Sequence, residues 1–553
     1  MNPKQLKELA ESVFAKRGSL LNLWQEIAMN FYPERADFTM MRQPGQEFAD
    51  HLMTGYPVLV RRELASQVGT MLRPPIPWFK MAPVDPERED NEAKRWLEWS
   101  SGLMRRAMYD PVTSFSRAMK EADHDFVTFG QPVISIEICW DNPSQQGPHL
   151  LYRTWHLRDM AWQEDRYGKI GNRFRRWKPT IHELNAHFPG KLHRNLAAKL
   201  DKHPLTECEV LHMVVESSYY DKKTPAKQPY WSIYYDCQNE YVISEAAVWS
   251  PVYAIPRWQT VSGGPYAYSP ATIVALPDAR LLQAMTLTLL EAGEKITNPP
   301  MIATDEVIRG DVSLYAGGIT IVDRDYDERL GAALRPLTTD SKGMPIGIEM
   351  QQDTRASLSD MFFLNKLKLP QRTAAMTAYE VAQHVQQYIR DALPLFEPME
   401  ENYNGDVCNF TFDLLKRANA FGSPHSIPRS LQGSDVVFHF QSPLHDEIEA
   451  VKGQKFLQSK AMVIEAAQLD KSAIAILDVG AALRAALQAI GAPAAWQRSE
   501  TTVQQMKDAQ AAIDAAQQTL GALGPASEAA ANFAGAAKDV AQLPAPEQMA
   551  TPA

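Results

Sequence analysis

The residues best suited to chemistry in this chain are cations, carboxylates and histidines, and each group suggests a different activity. Arg173, Arg175, Arg176 and Lys178 surround Phe174 and Trp177 in the stretch NRFRRWKP. Guanidinium charge interleaved with aromatic faces is how backbone-tracking nucleic-acid surfaces are built, so these four cations form a candidate basic surface. The plainer reading competes: at strand period Arg173 and Arg175 share one face and Phe174 anchors the other, as on a solvated sheet face or a subunit contact. A second set, Lys366, Lys368 and Arg372, flanks Pro370 in KLKLPQRTAAM, a short basic loop between two helical patterns. Contact with phosphate and simple capping of a helix C-terminus are equally open for it.

Among the carboxylates, Asp323, Asp325 and Asp327 in DRDYDER alternate as at the start of a calcium loop. Glu328 stands where such a loop needs its sharp-turn glycine and Leu334 where it needs a bidentate glutamate, so a solvated hairpin edge is the better reading. His182, His187, His193, His203, Cys208 and His212 are near one another in sequence, but their spacing matches no zinc pattern. There is no G-x-x-x-x-G-K-[ST] loop, no H-E-x-x-H and no G-x-S-x-G, so the chain should not hydrolyse ATP through a P-loop. No catalytic residue, metal or cofactor is expected.

The elements that must position these groups belong to a large globular chain. Its 553 residues suggest three or four domains, and 45% hydrophobic, 9% aromatic and 22% charged residues exclude wholesale disorder and a disulfide-stapled mini-protein. With 56 basic against 66 acidic residues the net charge is -10, which rules out a chain-wide polycationic binder, so any DNA contact must be local. Cys139, Cys208, Cys237 and Cys408 are scattered without a CxxC pair, as free thiols of a reducing compartment would be. The N-terminus reads as a polar helix without a signal peptide, and the richest apolar stretch, 472–496, is broken by Asp478, Arg484 and Pro493, so a soluble protein made in a cytoplasm is expected, with no membrane partner.

Residues 4–31 carry an apolar face at helical spacing that Pro33 ends, predicting one opening helix. The segment QVGTMLRPPIPWFKMAP reads as a buried, ordered connection. Between Pro132 and Arg257 the period becomes two: strands are predicted at 134–138, 210–216 and 231–236, with a hairpin turn at 165–168. Leu282, Met285, Leu289 and Ile296 then mark a helix stopped by Asn298-Pro299-Pro300. A compact insert over 298–349 follows, strand-like at 319–322, then a helix at Leu358, Met361 and Phe362 and another at 378–393. Val436, Phe438 and Phe440 alternate as a strand returning to a distant sheet, and 446–491 is helical again. The Ala- and Gln-rich tail from Ser499 can form helices but offers little to bury, so partial disorder or order only on assembly is expected.

Several segments in order resemble the head-to-tail connector, or portal protein, of short-tailed T7-like bacteriophages: LLNLWQEIAMNFYPERADF, GTMLRPPIPWFKM, FGQPVISIE, GGPYAYSPATIVALPDARLLQ with its following NPP, and TAAMTAYEV. Together they span about residues 1–465. The resemblance implies an α+β portal fold, with a mixed α/β wing over 1–276, stem helices at 277–297 and 350–367, and a small α/β clip at 298–349 between them. It further implies a tunnel loop at 368–376, a long helix and wing return at 377–445, a helical crown at 446–498 and a tail at 499–553. On that pattern Lys366, Lys368, Gln371 and Arg372 are the DNA-contacting tunnel-loop residues.

What the resemblance implies about function is a non-enzymatic ring, normally a dodecamer, at one capsid vertex of the virion, assembled in the host cytoplasm. It would pass double-stranded DNA during packaging and ejection, docking the terminase large subunit and later tail adaptor proteins, with capsid and scaffolding proteins as further partners. Two alternatives come from other classes. One is a metal-dependent phage nuclease using Asp323 and Asp325; the other is a monomeric, sequence-tolerant DNA-binding protein using NRFRRWKP.

Overall fold

The computed structural model describes residues 1–43, 45–85, 88, 90–139, 148–221, 227–303, 343–367, 399–422, 427–441 and 500–522, with short stretches between 308 and 337 and between 459 and 487. The chain divides into two units. The larger comprises 1–81, 99–426 and 436–448, the smaller 82–98, 427–435 and 449–553.

In the larger unit the expected opening helix is two, α1 (Pro3–Ala15) and α2 (Gly18–Phe31). Asn2 and Gln5 form a reciprocal capping box that starts α1. The break falls at Arg17, whose buried guanidinium donates to the carbonyls of Leu157, Arg158 and Met160. Those acceptors lie over a hundred residues away in sequence, so the apolar period alone could not show the interruption. Burial also pushes the Arg17 guanidinium down to about 10. Next come α3 (Tyr56–Leu72), β1 (Phe79–Pro83), α4 (Asn91–Met108) and α5 (Phe115–Phe129). The proline-rich connection is therefore a helix end, an exposed turn at 75–77 and a strand, with Trp78 and Phe79 buried as expected. Trp24 and Phe38 pack on Phe129 at 6.3 and 5.1 Å, which joins α2, the following loop and α5 into one aromatic core.

The β region contains two sheets. In the first, β2 (Val133–Cys139) lies between β3 (His149–Trp155) and the later β9 (Tyr253–Ala254), leaving β3 at an edge. The second is an antiparallel meander of β4 (Met160–Glu164), β5 (Ile170–Trp177), β6 (Val210–Glu216), β7 (Tyr230–Asp236) and β8 (Tyr241–Val248). The turn expected at 165–168 joins β4 to β5, with Gly168 at φ 74°. One face of the meander buries Phe174, Met213, Val215, Trp231 and Ile233 against Leu6, Ala10, Val13 and Phe14 of α1. Fully burying an apolar side chain of this size is worth about 1.5–3 kcal/mol, so this contact is a major part of the local stability. Two short helices inserted between β5 and β6, α6 (Ile181–His187) and α7 (Arg194–Leu200), close a smaller cluster with Cys208, Val210 and Ile243.

A short pair, β10 (Gln259–Thr260) and β11 (Ala267–Tyr268), leads into α8 (Pro270–Thr297), capped by the Ser269 hydroxyl accepting from Thr272 N–H at 3.3 Å. The helix stops at Asn298, as the following prolines demand. Of the insert, an antiparallel pair is described, β12 (Met301–Ala303) with β13 (Leu334–Pro336). The strand expected at 319–322 lies outside the described residues apart from Ile321. Then follow α9 (Gly343–Met361) and α10 (Leu364–Leu367), separated by Phe363 at φ 58°. The helix expected at 378–393 lies outside the described residues.

A π-turn at Glu400–Asn404 continues into α11 (Gly405–Arg417), and β14 (Val436–Phe440) returns to pair with β1, as its alternation predicted. In the smaller unit Val84 N–H donates to Asp435 O at 3.1 Å, and α12 (Glu500–Ala522) makes part of the Ala-rich tail helical. Val503 of α12 is half-buried, while Met506 and Ile513 are exposed, in line with a tail that has little to bury. Most of the expected crown helix at 446–491 lies outside the described residues.

Candidate functional site

The most distinctive surface is carried by α8 and α9, which pack side by side and antiparallel. Gln351 Nε2 donates to Thr286 Oγ1 at 2.8 Å, and Ser357 Oγ to Asp278 Oδ2 at 3.4 Å. Further along, a Cβ on Gly347 would sit 2.8 Å from Leu289 Cδ2, so the missing side chain leaves room for the end of Leu289 between the two helices. The two halves of α8 differ sharply. Ala271, Thr272, Ala275, Leu276, Ala279 and Leu282 are buried, and the Thr272 hydroxyl donates to Thr128 O at the end of α5. Beyond Leu282 no residue of α8 is buried.

That exposed half is nonetheless apolar. Leu287 and Leu290 on α8, with Ile346, Ile348 and Met350 on α9, are each more than 40% exposed, a concentration of exposed apolar side chains on one helix pair. By length and composition α8 is the one helix among the described residues apolar enough to cross a membrane, at a hydropathy of 1.4, while most of the apolar stretch 472–496 lies outside the described residues. The charges on the exposed part are mainly acidic, with Glu291, Glu294, Glu349 and Asp353 against Lys295 and Arg355.

Of the basic loop, Lys366 is exposed at the end of α10, with its ammonium 5.9 Å from the Phe363 ring centroid. Lys368, Gln371 and Arg372 lie outside the described residues.

The basic stretch NRFRRWKP needs correction. Arg173 and Arg175 are buried, not on a surface, because the face of β5 that carries them lies against Trp155 of β3 at Arg175 and near Tyr230 of β7 and Asp406 of α11 at Arg173. Arg175 stacks 3.9 Å above the Trp155 ring of β3, and its cross-strand partner His212 accepts or donates at 2.6 Å to the Tyr253 hydroxyl of β9. Burial drives the His212 imidazole well below its ordinary value, and it stacks flat on Tyr234 at 3.9 Å. Arg173 Nη1 donates to Gly171 O at 2.7 Å. Phe174 anchors the opposite face, as read from the strand period. Only Arg176 and Lys178 are exposed, and Arg176 lies 4.1 Å over the Phe14 ring. Period two located the faces but could not tell which was wet.

Burial of this charge has a titration consequence at Asp406, in the first turn of α11. Burial pushes its carboxyl up to about 6, against the pull of Arg173, Lys169 and Arg257. A carboxyl raised on folding favours the native state below its unfolded value and loses that advantage as pH rises through the folded one. Stability should therefore decline from about pH 4 to about pH 6 on account of this group. Asp406→Asn is expected to raise stability at pH 8 by about 1–3 kcal/mol while changing little at pH 4, checked by thermal melts at both pH values. Equal shifts at the two would refute the assignment.

The histidines singled out by sequence are engaged separately. His193 Nδ1 accepts from Asn195 N–H at 3.3 Å, His187 packs edge-on against Phe188, and the Cys208 thiol donates to Pro179 O at 3.3 Å. Among the described residues no three His, Cys, Asp or Glu side chains converge on a metal-sized site; Asp323 and Asp327 are described, whereas Asp325 is not.

One cluster escaped the sequence reading. Arg73 is ion-paired with Asp123 and donates to Asn404 Oδ1 at 2.8 Å, the Tyr403 hydroxyl donates to Asp123 at 2.9 Å, and Asn404 Nδ2 donates to Leu72 O at 2.9 Å. All four side chains are buried or nearly so. Burial pushes the Asp123 carboxyl up against the pull of Arg73, while the Arg73 guanidinium is held above its ordinary value by Asp123 despite its burial. No short motif links positions 73, 123 and 403, which is why nothing in the sequence pointed to them.

Comparison with known proteins extends over most of the chain. Residues 3–496 match the family described as bacteriophage head to tail connecting protein. A probable portal protein of Bordetella phage BPP-1 is 23% identical over 448 residues, covering 79% of this chain and 78% of that protein. The portal protein of Salmonella phage epsilon15 is 21% identical over 431 residues, covering 74% of this chain and 73% of its own length.

Proposed function

Since the chain belongs to the bacteriophage head to tail connecting proteins, we propose that it acts as a closed ring, a dodecamer, whose channel passes double-stranded DNA into and out of the capsid. Its place in the phage is that of a portal, the connector between head and tail. The finer reading rests on the paired helices α8 and α9. Their apolar residues Leu287, Leu290, Ile346, Ile348 and Met350 are exposed in a single copy, and a neighbouring copy would bury them. In this reading α8 and α9 are the stem, the insert 298–349 is the clip, and 368–376 is the tunnel loop carrying Lys368, Gln371 and Arg372 beside Lys366.

The charge distribution suits a conduit. Each phosphate neutralised by a cation releases counterions and adds affinity, so a strongly basic wall would trap DNA. Excess carboxylate on α8 and α9 opposes trapping, and a few cations on one loop can touch backbone transiently without reading sequence. The clip would dock the terminase large subunit during filling and tail adaptor proteins afterwards, with ATP hydrolysis left to the motor and no enzyme activity in this chain. Capsid and scaffolding proteins would meet the ring at the vertex, and assembly would take place in the host cytoplasm. The nuclease alternative through Asp323 and Asp325 has no support in the relatives, and burial of Arg173 and Arg175 removes the surface on which a monomeric DNA-binding reading relied.

The test is the solution mass by light scattering, with negative-stain imaging. A dodecamer of the 62.1 kDa chain has a mass of about 745 kDa. Leu290→Glu combined with Ile346→Glu is expected to abolish that species, whereas removing charge at Lys366, Lys368 and Arg372 together should leave the ring intact and impair DNA packaging. Rings that survive the apolar substitutions would overturn the stem interface, and normal packaging by the triple variant would overturn the tunnel-loop assignment.

A further inference from the structure

β3 is the outer strand of its sheet, paired with β2 on one side only. Along its other side runs a groove of about 380 Å³. Five consecutive strand residues, 151–155, line it, together with Ser114, Arg117, Ala118 and Glu121 of α5 and its N-cap. Successive side chains of a strand point to opposite faces, so a cavity over a face would touch alternate residues. Contact with every residue from 151 to 155 means the groove follows the backbone edge. On the helix side the positions are spaced one, four, five and eight, a single stripe facing the strand.

A groove between a helix stripe and an open strand edge is the geometry in which an extended peptide adds to a sheet. On an edge strand alternate residues direct their N–H and C=O away from the neighbouring strand. Ile136 N–H donates to Val252 O on the β9 side, so Ile136 turns its backbone away from β3 and its partner Tyr152 turns outward. Thr154, two residues on, does the same. Neither outward pair has a backbone partner among the described residues. The Thr154 hydroxyl is committed to Ala118 O at 2.6 Å, which fixes the helix beside the strand without filling the edge.

Charge sets the occupant's chemistry. Arg117 is paired with Glu121 at 3.1 Å, whereas Arg153 is exposed and makes no ion pair among the described residues. We propose that this groove takes an extended, acidic segment of another protein as an added strand beside β3, its backbone on Tyr152 and Thr154 and a carboxylate on Arg153. The occupant contributes no fixed sequence beyond that carboxylate and the absence of proline at paired positions, because main-chain hydrogen bonds supply most of the recognition.

The test uses the full chain and a fluorescein-labelled peptide with blocked ends, Ser-Thr-Val-Glu-Val-Thr-Ser, whose one charged side chain is the carboxylate, read by anisotropy. N-methylation at every second residue removes the donors of one edge, so one of the two alternating N-methyl series should weaken binding about tenfold, the loss of one or two hydrogen bonds, and the other less than about twofold. Arg153→Glu, a charge reversal at an exposed side chain, should weaken binding about fivefold or more and restore it towards a peptide with Lys in place of Glu. Thr154→Pro, which deletes an outward N–H, should weaken both peptides. Absence of saturable binding up to about 1 mM, equal sensitivity to both N-methyl series, or indifference to Arg153→Glu would each overturn the proposal.

Discussion

Gly130→Ala is expected to be among the most damaging single substitutions in the chain, costing about 4 kcal/mol or more, well outside the usual range for a point change. Gly130 ends α5 with φ 80°, a left-handed conformation that costs other residues about 1–2 kcal/mol. The remainder is steric. A Cβ there would lie 2.5 Å from the backbone nitrogen of Ser269 and closer still to the carbonyl carbon of Tyr268. These are main-chain atoms just ahead of α8, and Trp258 N–H also donates to Gly130 O at 2.8 Å, so three segments would have to move together. Gly168→Ala is the control, since Gly168 has φ 74° but nothing within 4 Å of its added Cβ. It should cost only about 1 kcal/mol. Thermal melts of the two variants separate backbone strain from overlap, and equal losses would show that the collision at Gly130 is relieved cheaply.

Breaking the buried pair Arg73–Asp123 from one side should cost about 3–5 kcal/mol, because the abandoned charge stays in a site where its side chain is less than a tenth exposed. Arg73→Met strands Asp123 with only the Tyr403 hydroxyl, and it also removes the donor to Asn404 Oδ1. Asp123→Leu strands Arg73. The double variant Arg73→Met/Asp123→Leu should recover much of either loss, since apolar replacements of both partners leave no unpaired charge. A double-mutant cycle on thermal stability reads this directly. Near-additive losses would mean that Asn404 and Tyr403, rather than the ion pair, hold α3 and α5 to the start of α11.

What could be read from the sequence was whatever depended on neighbours close along the chain. The alternation of Val210–Glu216 gave a strand with those bounds, and Asp165 to Gly168 gave the turn between β4 and β5, because both follow from local backbone preference. Asn298-Pro299-Pro300 likewise stopped α8 where proline must. What could not be read was partner choice across long sequence separations. The break at Arg17 depends on carbonyls of Leu157, Arg158 and Met160, and the burial of Arg173 and Arg175 depends on Trp155 of β3 and on Tyr230 and Asp406, all distant in sequence. Composition implied that charged side chains in an aromatic setting face water, yet stacking of Arg175 on Trp155 lets a guanidinium be held inside. The family was legible from the ordered set of segments that resemble it. The exposure of Leu287, Leu290 and Ile346 was not, since an apolar helix stripe looks the same whether it meets its own core or another copy.

The exposed loop after α2 is tied to α8 by a single side chain. Gln283 Oε1 accepts from Met53 and Thr54 N–H at 2.8 and 2.9 Å, and its Nε2 donates to Thr54 O at 2.9 Å. One amide thus imitates an adjacent strand, and it sits one residue past the last buried position of α8. The two loop amides are therefore protected by a side chain of the helix rather than by a strand of their own. They open to solvent exchange when Gln283 releases them, so exchange at Met53 and Thr54 reports on one side chain of α8 although both amides lie in the loop.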